Sequence, residues 1–254
     1  GMRFRVWLAL VLGLLASAAS AMDEKPLSTY SREVWTTRDG LPHNLVNGIA
    51  QTPDGYLWFA TWEGVVRYNG QEFRAFGRNN VPAMKDSGIR AVTVGPSGAL
   101  VVATSRGGVS VLRGEDWTTY TIENGLTQNE TFAALEDRSG RIWVATENRG
   151  ITRLDGDQAT VFNASNGLPS DVGYALAEDG AGAVWIATGE GIARIEGERI
   201  QAFSTEAGLP EGAAFSLAVA PDGRLFVGTE EGLYVGRGGR FAPVLPDFPK
   251  VAIA

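Results

Sequence analysis

The sequence predicts an all-β protein, a β-propeller of four-stranded blades. Three observations predict it. Glycine supplies 33 of the 254 residues, nearly double its usual share of about 7%. Strand-like runs of about five residues alternate with glycine turns. The whole unit recurs along the chain, with turn glycines Gly55, Gly98, Gly140, Gly182 and Gly223 spaced 41 to 43 residues apart. Four short strands per repeat of about 42 residues match a propeller blade, and no segment carries the 3.6-residue apolar period of a helix.

Taken in order, residues 1–21 read as an expression scar, Gly1, followed by a signal peptide. Arg3 and Arg5 form its basic region, Val6 to Ala16 its apolar region, and Ala19-Ser20-Ala21 its cleavage site. Even stretched to Ala21 the apolar run is about 16 residues, short of the ≈ 20 that span a bilayer. The chain beyond is therefore expected to be exported, to the periplasm. Residues 22–29 read as a linker and 30–254 as the propeller. Residues 30–39 match 117–125 and read as an outer fourth strand ahead of the first full blade. Five complete blades follow, at about 42–80, 81–124, 125–166, 167–207 and 208–245. Residues 249–254 read as the start of another first strand, so the ring reads as incomplete or truncated.

Within a blade, the second strand carries the strongest pattern: Leu57–Thr61, Leu100–Thr104, Ile142–Thr146, Val184–Thr188 and Leu225–Thr229. Its central aromatic (Trp58, Trp143, Trp185, Phe226) is expected in the core between blades, and its Ala-Thr ending suits close packing. Asp54, Asp137, Asp179 and Asp222 precede the turn glycine and are expected to cap the first turn. A Gly-Leu-Pro or Gly-Leu-Thr signature opens the repeats at Gly40, Gly125, Gly167 and Gly208. The second repeat has Asn80-Val81-Pro82 instead.

Composition excludes several functions. The chain has no cysteine and one histidine, which removes disulfides, thiolate chemistry and any multi-histidine metal site. Its net charge is −7, and about −9 without Arg3 and Arg5, so nucleic acid is disfavoured as a partner. Nothing calls for a cofactor.

The motif Gly40-Leu41-Pro42-His43-Asn44, Asp54-Gly55-Tyr56-Leu57-Trp58, Tyr68-Asn69-Gly70 and Phe76 resembles the two-component regulator propeller repeat. The resemblance covers residues 30 to about 245. It implies the periplasmic sensor half of a bacterial receptor, anchored in the inner membrane through segments outside this sequence. The output domain would be a histidine kinase or diguanylate cyclase. The family usually carries more than five blades.

Loops on one face are the candidate site, because they vary while the strands repeat. They carry His43, Asn44, Trp62, Glu63, Arg106, Glu147, Asn148, Arg149, Glu190 and Glu230. Trp62 stands out, since no other repeat has an aromatic there; it could stack on a sugar or plug the channel mouth. Glu63, Glu147, Glu190 and Glu230 could ring a cation or simply be solvated. The reading is a non-catalytic ligand sensor, for a small molecule such as a carbohydrate or for a protein. A protein-binding scaffold and a propeller lyase or hydrolase are the alternatives. His43 is the sole histidine available to such an enzyme. An open edge strand leaves room for a homodimer.

Overall fold

A computed structural model describes residues 27–245. The expected leader, the first part of the linker and the expected strand at 249–254 lie outside the described residues. The chain divides into two units, Gly1–Trp35 and Thr36–Ala254. In the first, Leu27–Thr29 form a single 3-10 turn.

The second unit contains five antiparallel sheets of four strands, each ordered as in the sequence. The first is β1 (Val46–Gln51), β2 (Leu57–Thr61), β3 (Gly64–Tyr68) and β4 (Phe73–Phe76). The second is β5 (Ile89–Val94), β6 (Leu100–Thr104), β7 (Val109–Arg113) and β8 (Asp116–Tyr120). The third is β9 (Thr131–Glu136), β10 (Ile142–Thr146), β11 (Ile151–Asp155) and β12 (Gln158–Phe162). The fourth is β13 (Gly173–Glu178), β14 (Val184–Thr188), β15 (Ile192–Glu196) and β16 (Arg199–Phe203). The fifth is β17 (Ala214–Val219), β18 (Leu225–Thr229), β19 (Gly232–Arg237) and β20 (Arg240–Pro243). Consecutive sheets meet through their first strands, β1 on β5, β5 on β9, β9 on β13 and β13 on β17. The first strands are thus the innermost and the sheets are propeller blades.

Each blade buries both faces of its second strand, so β6, β10 and β14 are buried throughout. That explains the near-continuous apolar runs there. The core lies between blades. Trp58, Ala60 and Val65 pack with Val92, Leu100 and Val102 of the next sheet. Trp143, Ala145 and Ile151 pack with Val184, Ile186 and Ile195. Leu41, Leu126, Leu168 and Leu209 of the Gly-Leu turns are all buried. In the second repeat Val81 and Met84 take that place, which is why the signature could be lost there.

Two end positions break the pattern. Val92, Ala134, Leu176 and Leu217 pack on the preceding sheet, but their counterpart Ile49 is 65% exposed. At the other end Leu233 is 39% exposed where Val65, Val109, Ile151 and Ile192 are fully buried.

The outer strand expected over 30–39 is not formed. Residues 31–36 pair with no sheet and Thr36–Gly40 make a turn. Among the described residues every third strand is hydrogen-bonded to the fourth strand of its own blade. The resemblance to 117–125 survives in the turn alone: Leu41 N–H donates to Thr36 O as Leu126 N–H donates to Thr121 O.

Candidate functional site

The Thr that closes each second strand locks the loop behind it. Its hydroxyl donates to the carbonyl of Gly64, Gly108, Gly150, Gly191 or Gly232. It also accepts an N–H from Glu63, Gly107, Arg149, Glu190 or Glu231. All five threonines are buried. The loops are therefore fixed at their base and free to differ at their tips.

Three of the expected residues come together. Trp62, Glu63 and Arg106 line a cleft of about 430 Å³ between the first two blades, with Arg78 and Asp86. Trp62 is 39% exposed and leans on Gly88, where a Cβ would lie 3.3 Å from its ring. Asp86 organises the cleft. Its carboxylate accepts the Ser105 hydroxyl at 2.6 Å and the Arg106 N–H at 2.9 Å, and the N–H groups of Ser87 and Gly88. Burial alone would raise its pKa, but these donors outweigh burial and hold the carboxyl below its ordinary value. Charges of both signs thus surround one exposed indole face, an arrangement suited to a ring bearing hydroxyls or a zwitterion.

The other expected residues do not join that cleft. Asn44 belongs to the fold: its Oδ1 accepts the Thr37 N–H at 2.8 Å. Asn129 and Asp171 do the same for Ile122 and Ala164. Asn44 is therefore a recurring turn lock rather than a variable loop tip, and the shared spacing after Gly40, Gly125 and Gly167 was the signal for it. His43 Nδ1 accepts the Leu45 N–H at 3.0 Å. Asn148 N–H donates to Gln128 Oε1, and the Arg149 carbonyl accepts the Thr127 hydroxyl. Glu190 and Glu230 remain on their separate loops. Among the described residues no group of three or more carboxylate or histidine side chains could hold a metal ion.

Glu147 leads to the feature that sequence reading missed. Its Oε2 stands 3.7 Å from Arg90 Nη1, a buried nitrogen with no hydrogen-bond partner. The Arg90 guanidinium lies over the Phe132 ring, 4.4 Å from its centroid. Phe132 contacts Tyr174 at 5.3 Å and Tyr174 contacts Phe215 at 5.0 Å. Arg90, Phe132, Tyr174 and Phe215 occupy the same place in successive innermost strands, with Asn47 in the first. In all five blades the strand register shifts there. A bulge releases one residue from the ladder and re-aims its side chain. Five equivalent bulges thus aim Asn47, Arg90, Phe132, Tyr174 and Phe215 inward from the innermost strands. The second residue of each first strand, Asn, Arg, Phe, Tyr and Phe in turn, carries no sequence signal that separates it from a core residue.

Residues 40–63 and 125–148 match the model of the two component regulator propeller family. No curated protein matches the chain. Among solved structures, the extracellular domain of BT4673 from B. thetaiotaomicron, assigned to a one component system, is similar with a TM-score of 0.65 and 19% identity. The match covers 80% of this chain and 29% of that one. The extracellular domain of BT3049 from the same organism, assigned to a hybrid two component system, has a TM-score of 0.55 and 20% identity over 87% and 36%. Virginiamycin B lyase from Staphylococcus aureus has a TM-score of 0.63 and 14% identity over 81% and 71%. At these identities the likeness is one of fold, and the chain spans about 29% of the length of the first domain. Among the described residues no helix is long and apolar enough to cross a membrane. The chain is a β-propeller in which two segments, residues 40–63 and 125–148, match the two component regulator propeller model.

Proposed function

We propose that this propeller is an exported, non-catalytic ligand-sensing domain of a bacterial membrane receptor. It would work in the periplasm and bind a small solute, of which a carbohydrate fits the exposed indole best. The observation that carries the reading is the set of five equivalent bulges bearing Asn47, Arg90, Phe132, Tyr174 and Phe215. A rigid repeat that varies the side chains on its loop tips and at these bulges is suited to recognition. The family match and the extracellular sensor domains of like fold support the same reading.

The lyase of like fold favours a second reading, in which the site turns over its ligand. His43 would then act as an acid through Nε2–H, since Nδ1 accepts a backbone N–H and is the unprotonated nitrogen of the neutral ring. A thermal-shift screen of mono- and disaccharides separates the two. The sensor reading expects a stabilising solute whose effect is lost in Trp62→Ala or Tyr174→Ala and kept in His43→Ala. Turnover of that solute, abolished by His43→Ala, would overturn it.

A further inference from the structure

A second cleft, of about 380 Å³, lies on the opposite face between the fourth and fifth blades, at the first and third hairpin turns. Its walls include Trp185, Phe203 and Phe241. Trp185 and Phe203 are 5.2 Å apart, and Phe241 stands edge-on to both, at 6.5 and 6.2 Å. Gly236 stands where earlier blades carry Leu112, Leu154 and Ile195, and the Phe241 ring lies against it.

Equivalent interfaces show what belongs there. Each core tryptophan faces an arginine on the third strand: Trp58 faces Arg67, Trp143 faces Arg153 and Trp185 faces Arg194. Arg67 lies over Trp58 and Phe76, at 5.8 and 5.7 Å. Arg153 lies over Trp143 and Phe162, at 5.6 and 5.5 Å. It then crosses to the Gly197 carbonyl at 2.6 Å. Arg194 does neither. Asp179 Oδ2 holds its Nε at 3.1 Å and Glu196 Oε2 holds its Nη1 at 2.8 Å. Asp155, one methylene shorter than Glu196, makes no such bond to Arg153. Among the described residues no cation lies over Trp185, Phe203 or Phe241. Of the rim arginines, Arg194 is held by its two acids, and Arg237 donates to the Asp222 carbonyl with that residue's carboxylate 3.9 Å away.

We propose that this cleft binds a ligand's organic cation, a substituted ammonium or guanidinium, in the place that Arg67 and Arg153 fill at the sister interfaces. Aromatic faces attract such a group through their quadrupole, and the site is distinct from the loop-face cleft.

Choline tests it, against its uncharged isostere 3,3-dimethyl-1-butanol, in an NMR titration of the ¹⁵N-labelled chain. The Trp185 indole N–H, assigned with Trp185→Phe, is the reporter. Choline is expected to shift it in a saturable manner, and the alcohol at equal concentration by less than about one fifth as much. Glu196→Gln loosens one of the two holds that draw Arg194 away from the rings, Asp179 keeping the other, and Phe203→Leu removes one of the rings. Each is expected to weaken choline at least about threefold, a loss of the size cation–π contacts give. Glu196 is exposed, so its variant keeps the fold if Phe203→Leu does not. No choline shift, equal shifts from the two solutes, or unchanged affinity in Glu196→Gln would overturn the proposal.

Discussion

In the third blade, one aspartate ties the first turn to the core. Asp137 Oδ1 accepts the N–H groups of Ser139 and Arg141, while Oδ2 accepts Trp143 Nε1 at 2.7 Å and Arg141 Nε at 2.7 Å. The fourth blade repeats this with Asp179, Trp185 and Arg194. The second blade has Gly95, Val101 and Val111 at the corresponding places, so it has no hub of its own. It borrows one from its neighbour. Glu136, at the end of β9 in the third blade, accepts the Ser97 N–H at 3.2 Å, the Ser97 hydroxyl at 2.5 Å and Arg113 Nη1 at 2.6 Å. Gly95 makes that possible, since a Cβ there would fall 2.2 Å from Glu136 Oε2. The third blade's turn is fastened within its blade and also across an interface, by Glu178 on Arg138, whereas the second blade's turn has only the tie across the interface to Glu136. A repeat can therefore lose its internal anchor if a neighbour reaches over.

The comparison breaks most sharply at the tryptophan. Trp143→Ala is expected to cost about 3–5 kcal/mol and leave Asp137 with a missing donor. Val101→Ala, one blade earlier, should cost about half as much or less. Chemical denaturation at neutral pH measures both, and equal losses would erase the distinction drawn between the two blades. Next comes the borrowed hub. Gly95→Ala is expected to cost about 1–3 kcal/mol by displacing Glu136. In a Glu136→Ala background the same change should cost under about 1 kcal/mol, because the colliding carboxylate is gone. Additive losses would show that Gly95 is needed for its backbone alone.

The smallest effect is in pH. Burial would raise the pKa of Glu136, Asp137 and Asp179. The Ser97 and Arg113 groups at Glu136, and the indoles and arginines at the aspartates, outweigh burial and hold all three below their ordinary values. A depressed folded-state pKa contributes stability that is present above the unfolded value and lost as pH falls through the folded one. Stability should therefore decline as pH drops below about 4, near the ordinary carboxylate values. Asp137→Asn should flatten that decline, and an unchanged slope would remove Asp137 from the account.

The four aspartates show how far the sequence was legible. Read as one position, they are two. Asp137 and Asp179 stand three residues before the turn glycine and hold the indoles. Asp54 and Asp222 stand immediately before it and bond locally, to Thr52, Tyr56 and Arg224. In the first blade Thr52 holds Trp58 Nε1 instead, at 3.0 Å. Only the spatial partner separates the two groups. The candidate site divided in the same way. Trp62 was legible because it departed from the repeat. Phe132, Tyr174 and Phe215 were not, because an aromatic inside a strand reads as core until a bulge turns it inward.

The sequence by itself determined the blade, its period and its buried second strand. Each of these rests on local chemistry, namely glycine turns, strand-forming runs and the near-continuous apolar second strand. The tertiary structure decided which side chains meet across an interface. It paired Glu136 with Gly95, left Arg194 drawn away from Trp185, and lined Arg90, Phe132, Tyr174 and Phe215 along the innermost strands. The contacts of Glu136 and of Arg90 join residues about 40 positions apart, and no local pattern encodes how neighbouring blades are set against one another.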